Sequence, residues 1–283
     1  MGRIIDGKAV ARQMRTQLRA EIQTLSATRG VTPGLAVILV GHHAASQVYV
    51  RMKKTACAEV GIASFLYELP EETREEALLA LIDTLNQQPA VHGILVQMPL
   101  PAHMYAQRVL EAIAPDKDVD GFHPYNVGLL AVGAPLFRPC TPWGCMELLR
   151  VAGVEPAGRQ AVVVGRSNIV GKPMALMLLA EHATVTLCHS RTARLDAMLA
   201  EADIVVAAIG QAEMIRGAWL KPEAVVIDVG MNRRADGTLC GDVAFAEALP
   251  RVAAITPVPG GVGPMTITML LKNTVIGASR CVA

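Results

Sequence analysis

The sequence predicts an α/β protein of two domains, the second of which contains a doubly wound parallel sheet. The chain has 283 residues, which suits two domains of roughly 100–200 residues each. Hydrophobic residues make up 52% of the chain and charged residues 18%, a balance typical of a well-buried globular protein. Short apolar runs alternate with helical patterns along the chain, as in parallel sheets built from βαβ units.

The first half of the chain alternates predicted helices and strands. Its helices have apolar residues at spacings of three and four, and its strands are short apolar runs near glycine or proline. In order, we predict a helix over residues 10–25, a strand over 34–41, a helix over 48–60, a strand over 65–69, a helix over 71–87, and over 91–101 a strand that runs into a proline-rich loop. Gln97 therefore lies at the carboxyl end of a strand, where α/β proteins bind ligands.

The second half repeats this pattern with five apolar runs that predict a second, doubly wound sheet. The runs are AVVVG, ATVTLC, ADIVVAAIG, AVVIDVG and VAAITPV, which begin at residues 161, 183, 202, 224 and 252. The stretch FRPCTPWG, residues 137–144, has two prolines and marks the boundary. We therefore expect one domain from residues 1–137 and 268–283, closed by the last helix, and a second from residues 138–267.

Charge and cysteine usage exclude several classes of function. The chain has 26 Lys and Arg against 25 Asp and Glu, so we expect no nucleic-acid partner. The first residues lack the pattern of a secretory signal, and no uninterrupted apolar stretch is long enough to span a membrane. The six cysteines form no Cys-x-x-Cys pair, which predicts free thiols in a reducing compartment. We expect a cytoplasmic protein with a small-molecule partner and no metal.

A nucleotide-binding turn is predicted at residues 162–179, VVVGRSNIVGKPMALMLL. A strand, a glycine turn at Gly165 and a helix follow one another, and such a turn aims backbone N–H groups at a pyrophosphate. The motif departs from G-x-G-x-x-G, because Ser167 stands where the second glycine would be and Gly171 comes one position late. Turns of this kind also occur without a nucleotide, and this alternative stays open here.

The end of the next strand favours NADP over NAD. NAD-preferring sites tend to have an acidic residue there that binds the ribose 2′-hydroxyl. This sequence has Cys-His-Ser-Arg at residues 188–191, which offers no carboxylate to repel a 2′-phosphate. Arg166, Ser190 and Arg191 are the candidates to bind that phosphate.

Tyr49 and Lys53 are candidate catalytic residues, because their spacing of four places them on one face of the predicted helix. A lysine becomes useful in proton transfer when burial or cationic neighbours lower its pKa, and Arg51 and Lys54 are close in sequence. The alternative is a solvated basic face with a tyrosine at its edge.

Three aspartates alternate in PDKDVDGFHPYNVG, residues 115–128. A calcium loop would need a terminal glutamate, which is absent. A carboxylate of Asp116, Asp118 or Asp120 is suited to accept two parallel N–H bonds from a planar amidine-like group, such as the edge of a pterin. Alternatively, the aspartates stabilise a turn.

The stretch TPVPGGVGPMT, residues 256–266, combines three prolines and three glycines. It leaves the last predicted strand at its carboxyl end, which is a ligand-binding position. Glycines let a flat ligand approach the backbone, and prolines fix the path around it. A plain connector between domains fits the same residues.

Taken together, these stretches resemble the bifunctional methylenetetrahydrofolate dehydrogenase/cyclohydrolase family. The matching segments follow one another from Tyr49 to Thr266, with further similarity at IIDGKAVA near the start. They are YVRMKK, GILVQMPLP, PDKDVDGFHPYNVG, RPCTPWG, VVVGRSNIVGKP, ATVTLCHSRT, VVIDVGMNR, GDVAF and TPVPGGVGPMT. The resemblance implies oxidation of 5,10-methylenetetrahydrofolate by NADP⁺, followed by hydrolysis of the methenyl product to 10-formyltetrahydrofolate, in one-carbon metabolism.

The resemblance also implies roles for individual residues. Lys53 would be the principal catalytic residue, with Tyr49 stacking on or positioning the folate, Gln97 orienting and tuning Lys53, and Asp120 anchoring the pterin. The implied cofactor positions are Gly165, Arg166, Ser167, Ser190 and Met231, to which the sequence adds Arg191. The implied substrate contacts are Tyr49, Lys53, Val96, Gln97, Met98, Asp120, Pro259, Gly260, Gly261, Val262 and Gly263. We expect Gly261→Val to weaken folate binding and leave the fold intact.

The family organisation implies an N-terminal folate domain, a Rossmann-like NADP domain, an active-site cleft between them and a homodimer. Two alternatives remain open from the residues alone. One is a monofunctional dehydrogenase whose hydrolysis step is slow, and the other is a non-catalytic nucleotide sensor of the same fold.

Overall fold

The computed structural model describes residues 2–280, apart from the side chains of residues 44 and 45. Its helices are α1 (Gly7–Arg29), α2 (Ala44–Val60), α3 (Glu75–Gln87), α4 (Ala106–Glu111), α5 (Pro124–Ala131), α6 (Cys140–Val151), α7 (Gly171–Ala180), α8 (Leu195–Glu201), α9 (Phe245–Ala248) and α10 (Val262–Arg280). Its strands are β1 (Arg3–Ile4), β2 (Gly34–Val40), β3 (Ala63–Leu69), β4 (Gly93–Val96), β5 (Gln160–Val164), β6 (Thr184–Cys188), β7 (Ile204–Ala207), β8 (Val225–Asp228), β9 (Asn232–Arg233), β10 (Leu239–Cys240) and β11 (Ala254–Ile255).

The chain forms two compact units. Of the described residues, the three-stranded unit consists of Gln13–Cys140 and 267–280, and the six-stranded unit consists of 2–12 and Thr141–Thr266. Helices accompany a parallel sheet in each unit, so the predicted two-domain α/β class is confirmed. Among the described residues, no helix combines the length and the apolar character needed to cross a membrane.

The first residues correct the predicted domain organisation, which placed them in the N-terminal domain. Strand β1 pairs in parallel with β11, with Arg3 opposite Ala254 and Ile4 opposite Ile255. Residues 2–12 therefore lie in the six-stranded unit. The sequence gives no sign of this, because a two-residue edge strand with exposed side chains has no apolar pattern and is held by backbone hydrogen bonds, such as Ile5 N to Ile255 O at 2.9 Å.

The three-stranded unit has the strand order β3-β2-β4, and both pairs are parallel. All seven residues of β2 are buried, as expected for a central parallel strand covered on both faces. Helix α3 packs Leu78, Ile82 and Leu85 against this sheet. Strand β4 ends at Val96, and the next residue donates its backbone N–H to Ile38 O at 2.8 Å. This bond fixes Gln97 at the carboxyl edge of the sheet.

The six-stranded unit has the order β1-β11-β8-β7-β5-β6, and every neighbouring pair is parallel. The chain winds from β5 outward to β6, then returns to β7 on the other side of β5. The carboxyl ends of β5 and β7 thus form the topological switch point at which doubly wound folds bind ligands. Sequence reasoning missed the antiparallel hairpin of β9 and β10, whose turn signal is the dipeptide Asp236-Gly237.

Candidate active site

Lys53 lies near the middle of α2 and is buried, with 8% of its surface exposed. Its Nζ donates a hydrogen bond to Gln97 Oε1 at 2.9 Å. Gln97 Nε2 donates in turn to the carbonyl oxygen of Met98 at 2.8 Å. The amide is therefore held from both sides, with its oxygen toward the lysine.

Burial is the main influence on the charge of Lys53, because it lowers the pKa of the ammonium. The charge of Asp120 acts in the opposite direction. Burial also raises the pKa of Asp120 to about 6, against the effect of Lys53. Burial raises the pKa of the nearby Cys57 thiol to about 12, so this thiol is neutral near pH 7. The carboxylate of Asp120 is thus the anion that counteracts the lowering of the Lys53 pKa.

The exposure of the neighbouring residues on α2 decides between the two interpretations of this helix, a pair of catalytic residues or a solvated basic face. Arg51 and Lys54 are exposed, whereas Tyr49 is half-buried one turn before Lys53. Burial raises the pKa of the Tyr49 phenol, which keeps it neutral. The interpretation of a solvated basic face is therefore wrong for Lys53 and right for its two neighbours. Cationic neighbours were one expected cause of a lowered lysine pKa, but burial is the principal one.

The three aspartates of residues 116–120 have three different environments. Asp116 is exposed. Asp118 is buried and accepts hydrogen bonds from His123 N and Asn126 Nδ2, each at 2.8 Å. The turn-stabilising interpretation thus applies to Asp118, and only Asp120 faces the lysine charge. Within residues 2–280, no group of His, Cys, Asp and Glu side chains is arranged to hold a metal ion.

Two further side chains lie next to the aspartate loop and were not predicted from the sequence: those of Cys140 and Asn273. Cys140 is buried, lies close enough to Asp120 to affect the pKa of that carboxyl, and donates from Sγ to Val119 O at 3.3 Å. Asn273 on α10 donates from Nδ2 to Val119 O and Arg138 O, each at 2.8 Å. Cys140 stands in one of the matching segments, but Asn273 has no signal in sequence, because it meets this loop only after folding.

A second candidate site is a pocket of about 510 Å³ in the six-stranded unit. It opens at the carboxyl ends of β5, β6 and β7. Four of the predicted cofactor residues line it, and two do not. Gly165, Arg166, Ser167 and Ser190 belong to the lining, together with His189, Ala208, Ile209 and Gln211. Arg191 follows the pocket residue Ser190 and is exposed, and Met231 lies in the loop after β8 with 47% of its surface exposed.

The departures from the glycine motif have a geometric reason. Gly165 has φ +128°, and a Cβ there would lie 2.1 Å from Ala208 O. A Cβ on Gly171 would lie 1.9 Å from Gly165 O, so both glycines are needed for close packing of the turn. Ser167 Oγ accepts from Val170 N at 3.1 Å and from Gly171 N at 3.4 Å. The serine hydroxyl therefore accepts from two backbone N–H groups at the start of α7, where such groups lack partners within the helix.

The loop of residues 256–262 has a closely packed backbone of defined conformation and is not a loosely packed connector. Gly260 has φ +111°, and its carbonyl accepts from Lys8 N at 3.1 Å. A Cβ on Gly261 would lie 2.6 Å from the carbonyl oxygen of Pro257. The expectation that Gly261→Val leaves the fold intact is thus wrong, because the new side chain would displace the loop backbone. Gly263 is less crowded, with Met231 Cε 3.6 Å from the position of a Cβ.

The predicted substrate residues are divided between the two units. Tyr49, Lys53, Val96, Gln97, Met98 and Asp120 lie in the three-stranded unit. There Val96 is buried and Met98 half-buried. Residues 259–263 lie in the six-stranded unit, and among them only Pro259 is exposed.

A doubly wound sheet with a glycine-turn pocket at its switch point defines the class of nucleotide-binding α/β enzymes. Comparison with known proteins places the chain more narrowly. Residues 139–282 match the model of the tetrahydrofolate dehydrogenase/cyclohydrolase NAD(P)-binding domain, and residues 5–120 match that of the catalytic domain. The chain belongs to the tetrahydrofolate dehydrogenase/cyclohydrolase family and is an enzyme with both activities.

Similar proteins cover the chain from end to end. The bifunctional protein FolD of Magnetococcus marinus is 64% identical over 99% of this chain and 98% of its own length. Among solved structures, the bifunctional FolD of Campylobacter jejuni has a TM-score of 0.97 and 48% identity, with 99% of both chains covered. The FolD of Trypanosoma brucei, solved with NADP cofactor and an inhibitor, has a TM-score of 0.95 and 44% identity over 99% of this chain and 98% of that one. The resemblance inferred from the sequence is confirmed.

Proposed function

We propose that this enzyme oxidises 5,10-methylenetetrahydrofolate with NADP⁺ and hydrolyses the resulting 5,10-methenyl cation to 10-formyltetrahydrofolate. The observation that carries the proposal is the partly buried hydrogen bond from Lys53 Nζ to Gln97 Oε1, next to the charge of Asp120. It provides a buried lysine whose pKa is lowered by burial, in the unit that carries most of the catalytic-domain match.

The proposed mechanism needs proton transfer and positioning. The pocket lined by Gly165, Arg166, Ser167 and Ser190 would hold NADP⁺, which would supply the hydride acceptor for the oxidation of the methylene carbon. Water then adds to the methenyl carbon, and neutral Lys53 accepts one proton from that water. The ammonium so formed returns a proton to N5 as the C–N5 bond breaks, and the remaining hydroxyl proton leaves to solvent as the formyl C=O forms. The lowered pKa of Lys53 supports both directions of transfer.

We assign the binding roles to the surrounding residues. Asp120, whose pKa lies at about 6, is ionised at neutral pH and accepts N–H bonds from the pterin edge. Tyr49 stacks on the folate, and Gln97 orients Lys53 through its side-chain oxygen. Val96, Met98 and residues 259–263 provide the remaining substrate contacts. Of these, Pro259 is exposed and Gly260 partly exposed, so they offer the part of the loop that a flat ring can approach.

We assign the cofactor to the pocket of the six-stranded unit, with NADP preferred over NAD. Gly165 and Ser167 present the turn and helix start to the pyrophosphate. Arg166 and Ser190 in the lining, and the neighbouring Arg191, are placed for a 2′-phosphate. The T. brucei relative solved with NADP supports this preference. Met231 contributes through its backbone in the loop after β8.

We further propose a cytoplasmic homodimer. Support for the compartment comes from the cysteines, since Cys57, Cys140, Cys145, Cys188 and Cys240 are free thiols, as expected in a reducing environment. Support for a dimer comes from β6, an edge strand of the six-stranded sheet with exposed side chains at Thr184, Thr186 and Leu187. Sedimentation equilibrium on the purified chain tests the dimer, and a mass of 30.0 kDa would refute it.

The function is tested by following both reactions with the purified protein. The absorbance of the methenyl cation reports its formation from 5,10-methylenetetrahydrofolate and NADP⁺, and its decay from added methenyl substrate reports hydrolysis. We expect enzyme-dependent rates for both steps. Absence of methenyl formation would refute the proposal. Formation with decay only at the buffer rate would select the monofunctional alternative.

A further inference from the structure

Asp242 is a fully buried aspartate that follows β10 and has no role in the chemistry described above. Its Oδ2 accepts hydrogen bonds from Ile209 N at 2.6 Å and Gly210 N at 3.1 Å. Its Oδ1 accepts from Gln211 N and Asn232 Nδ2, each at 2.9 Å. The four acceptor positions of the carboxylate are thus all used.

Three of these four donors are consecutive backbone N–H groups of one loop. That loop, residues 208–211, follows β7, and Ala208, Ile209 and Gln211 line the pocket assigned to the cofactor. Its backbone donors therefore point at Asp242, and the opposite side of the loop forms the pocket wall. Gly210 has φ +73°, which lets the chain turn tightly enough to present three donors to one side chain.

A second buried aspartate fixes Asp242 itself. Asp228, at the end of β8, accepts from Asp242 N and Val243 N, each at 2.9 Å, and from Gly230 N at 3.0 Å. Burial raises the pKa of Asp228 to about 7, against its backbone hydrogen bonds. The two carboxylates thus connect the loops after β7 and β8 with residues 242 and 243.

Two glycines make room for this pair of carboxylates. A Cβ on Gly230 would lie 2.3 Å from Asp242 Oδ1, and a Cβ on Gly241 would lie 1.9 Å from Asp228 Oδ2. Any other residue at either position would push a carboxylate away from its donors. The arrangement therefore depends on the residue types at four positions, which are Asp228, Gly230, Gly241 and Asp242.

We propose that Asp242 is a positioning residue for NADP: it sets the shape of the loop of residues 208–211, and thereby the affinity of the cofactor pocket, without touching the folate chemistry. This inference rests on the proposed function, which assigns NADP to that pocket. Asparagine at position 242 would keep the size of the side chain but replace one acceptor oxygen with an NH₂ group. The two N–H donors that bond to the replaced oxygen would then face the NH₂ group and lose their hydrogen bonds.

The enzyme's two activities provide a test within one protein, because hydrolysis of added methenyltetrahydrofolate needs no NADP. For Asp242→Asn we expect the KM for NADP⁺ and its Kd by titration to rise at least about tenfold. The hydrolysis rate per folded molecule should stay within about twofold of wild type. Asp236→Asn is the matched control, since Asp236 is an exposed aspartate that accepts from Thr238 N at 2.9 Å in the β9–β10 hairpin. It should leave both values unchanged.

A second pair of variants covers the case in which Asp242→Asn fails to fold. Gly210→Ala strains the same loop through its positive φ, and a Cβ there meets no atom within 4 Å. Gly237→Ala imposes the same strain at φ +85° in the hairpin, also without a neighbour within 4 Å. We expect Gly210→Ala alone to raise the Kd for NADP⁺, by at least about threefold, with unchanged hydrolysis.

The outcomes separate this inference from the function on which it rests. If wild type binds no NADP⁺, the cofactor assignment fails. If wild type binds NADP⁺, and folded Asp242→Asn or Gly210→Ala binds it equally well, the positioning role fails. A parallel loss of both activities in folded Asp242→Asn would also overturn the proposal, because it would indicate a general structural role.

Discussion

Lys53 Nζ lies 2.9 Å from Gln97 Oε1 and donates a hydrogen bond to it. The partner of this buried lysine is therefore a neutral amide oxygen, and the carboxylate of Asp120 acts on it only as a nearby charge. A directly bound carboxylate would hold the ammonium more strongly and raise its pKa. The glutamine thus leaves the lowering of the Lys53 pKa by burial in place.

Replacing Lys53 by methionine should abolish most of the hydrolysis. Met preserves the packing of the long side chain but removes the proton-transferring amine, and a positioned acid–base group contributes about 10²-fold or more. Stopped-flow decay of added methenyltetrahydrofolate measures the loss. Lys54→Met is the control, because Lys54 is the exposed neighbour on the same helix and should change the rate by less than about twofold. Undiminished decay in Lys53→Met would remove Lys53 from the mechanism.

Gln97→Glu should shift the pH dependence of hydrolysis upward. A carboxylate at 2.9 Å from Nζ favours the ammonium, so the pKa of Lys53 rises and the neutral amine forms only at higher pH. We expect the rising limb of log kcat against pH to move up by at least about one pH unit. Gln23→Glu, at an exposed position on α1, should leave the profile in place. A downward shift in Gln97→Glu would contradict the proposed role.

The KM for the folate substrate should depend on Asp120 at mildly acidic pH. Because burial raises the pKa of this carboxyl to about 6, the ionised form that accepts pterin N–H bonds is lost as the pH falls below that value. We expect a KM that is constant above about pH 7 and rises by up to about tenfold per unit well below pH 6. Asp120→Asn should have a raised KM without this pH dependence. A wild-type KM that is flat from pH 7 to 5 would refute the anchoring role.

Arg166 should contribute to the preference for NADP. The guanidinium lies in the pocket lining, where it is placed to bind a 2′-phosphate that NAD lacks. Arg166→Ala should lower kcat/KM for NADP⁺ by at least about tenfold and change that for NAD⁺ by less than about threefold. Arg159→Ala serves as the control, since Arg159 is exposed and precedes β5 at its amino end. Equal losses with both cofactors would exclude recognition of the 2′-phosphate.

The glycines after Pro259 should differ in their tolerance of alanine. At Gly260, φ +111° is a conformation that L residues rarely adopt, so Gly260→Ala should cost about 1–2 kcal/mol of stability. Gly263 has an ordinary φ, and a Cβ there would be 3.6 Å from Met231 Cε, so Gly263→Ala should change stability by less than about 0.5 kcal/mol. Denaturant unfolding of the two variants measures both values. Equal stabilities would mean that the loop relaxes freely.

Local patterns predicted much of the site, but they left its chemistry open. The four-residue spacing of Tyr49 and Lys53 placed both on one helix face, and the end of β4 placed Gln97 at a sheet edge. Neither pattern distinguished a buried amine from a solvated one, because α2 has charged residues on both sides of Lys53. The alternating aspartates were equally ambiguous, since Asp118 stabilises a turn and Asp120 is the one near the charge of Lys53. Packing of α2, β4 and the aspartate loop resolved both questions.

By itself, the sequence determined the α/β class, the glycine turn at Gly165, the catalytic candidates and the resemblance to the family, because these depend on short-range spacing and ordered motifs. Only the tertiary structure decided which lysine is buried, where residues 2–12 lie and how Asp242 holds the loop after β7. Each of these depends on groups far apart in the chain, such as Asp242 and Ile209 N at 2.6 Å. Burial and hydrogen-bond geometry of this kind exist only once the chain has folded.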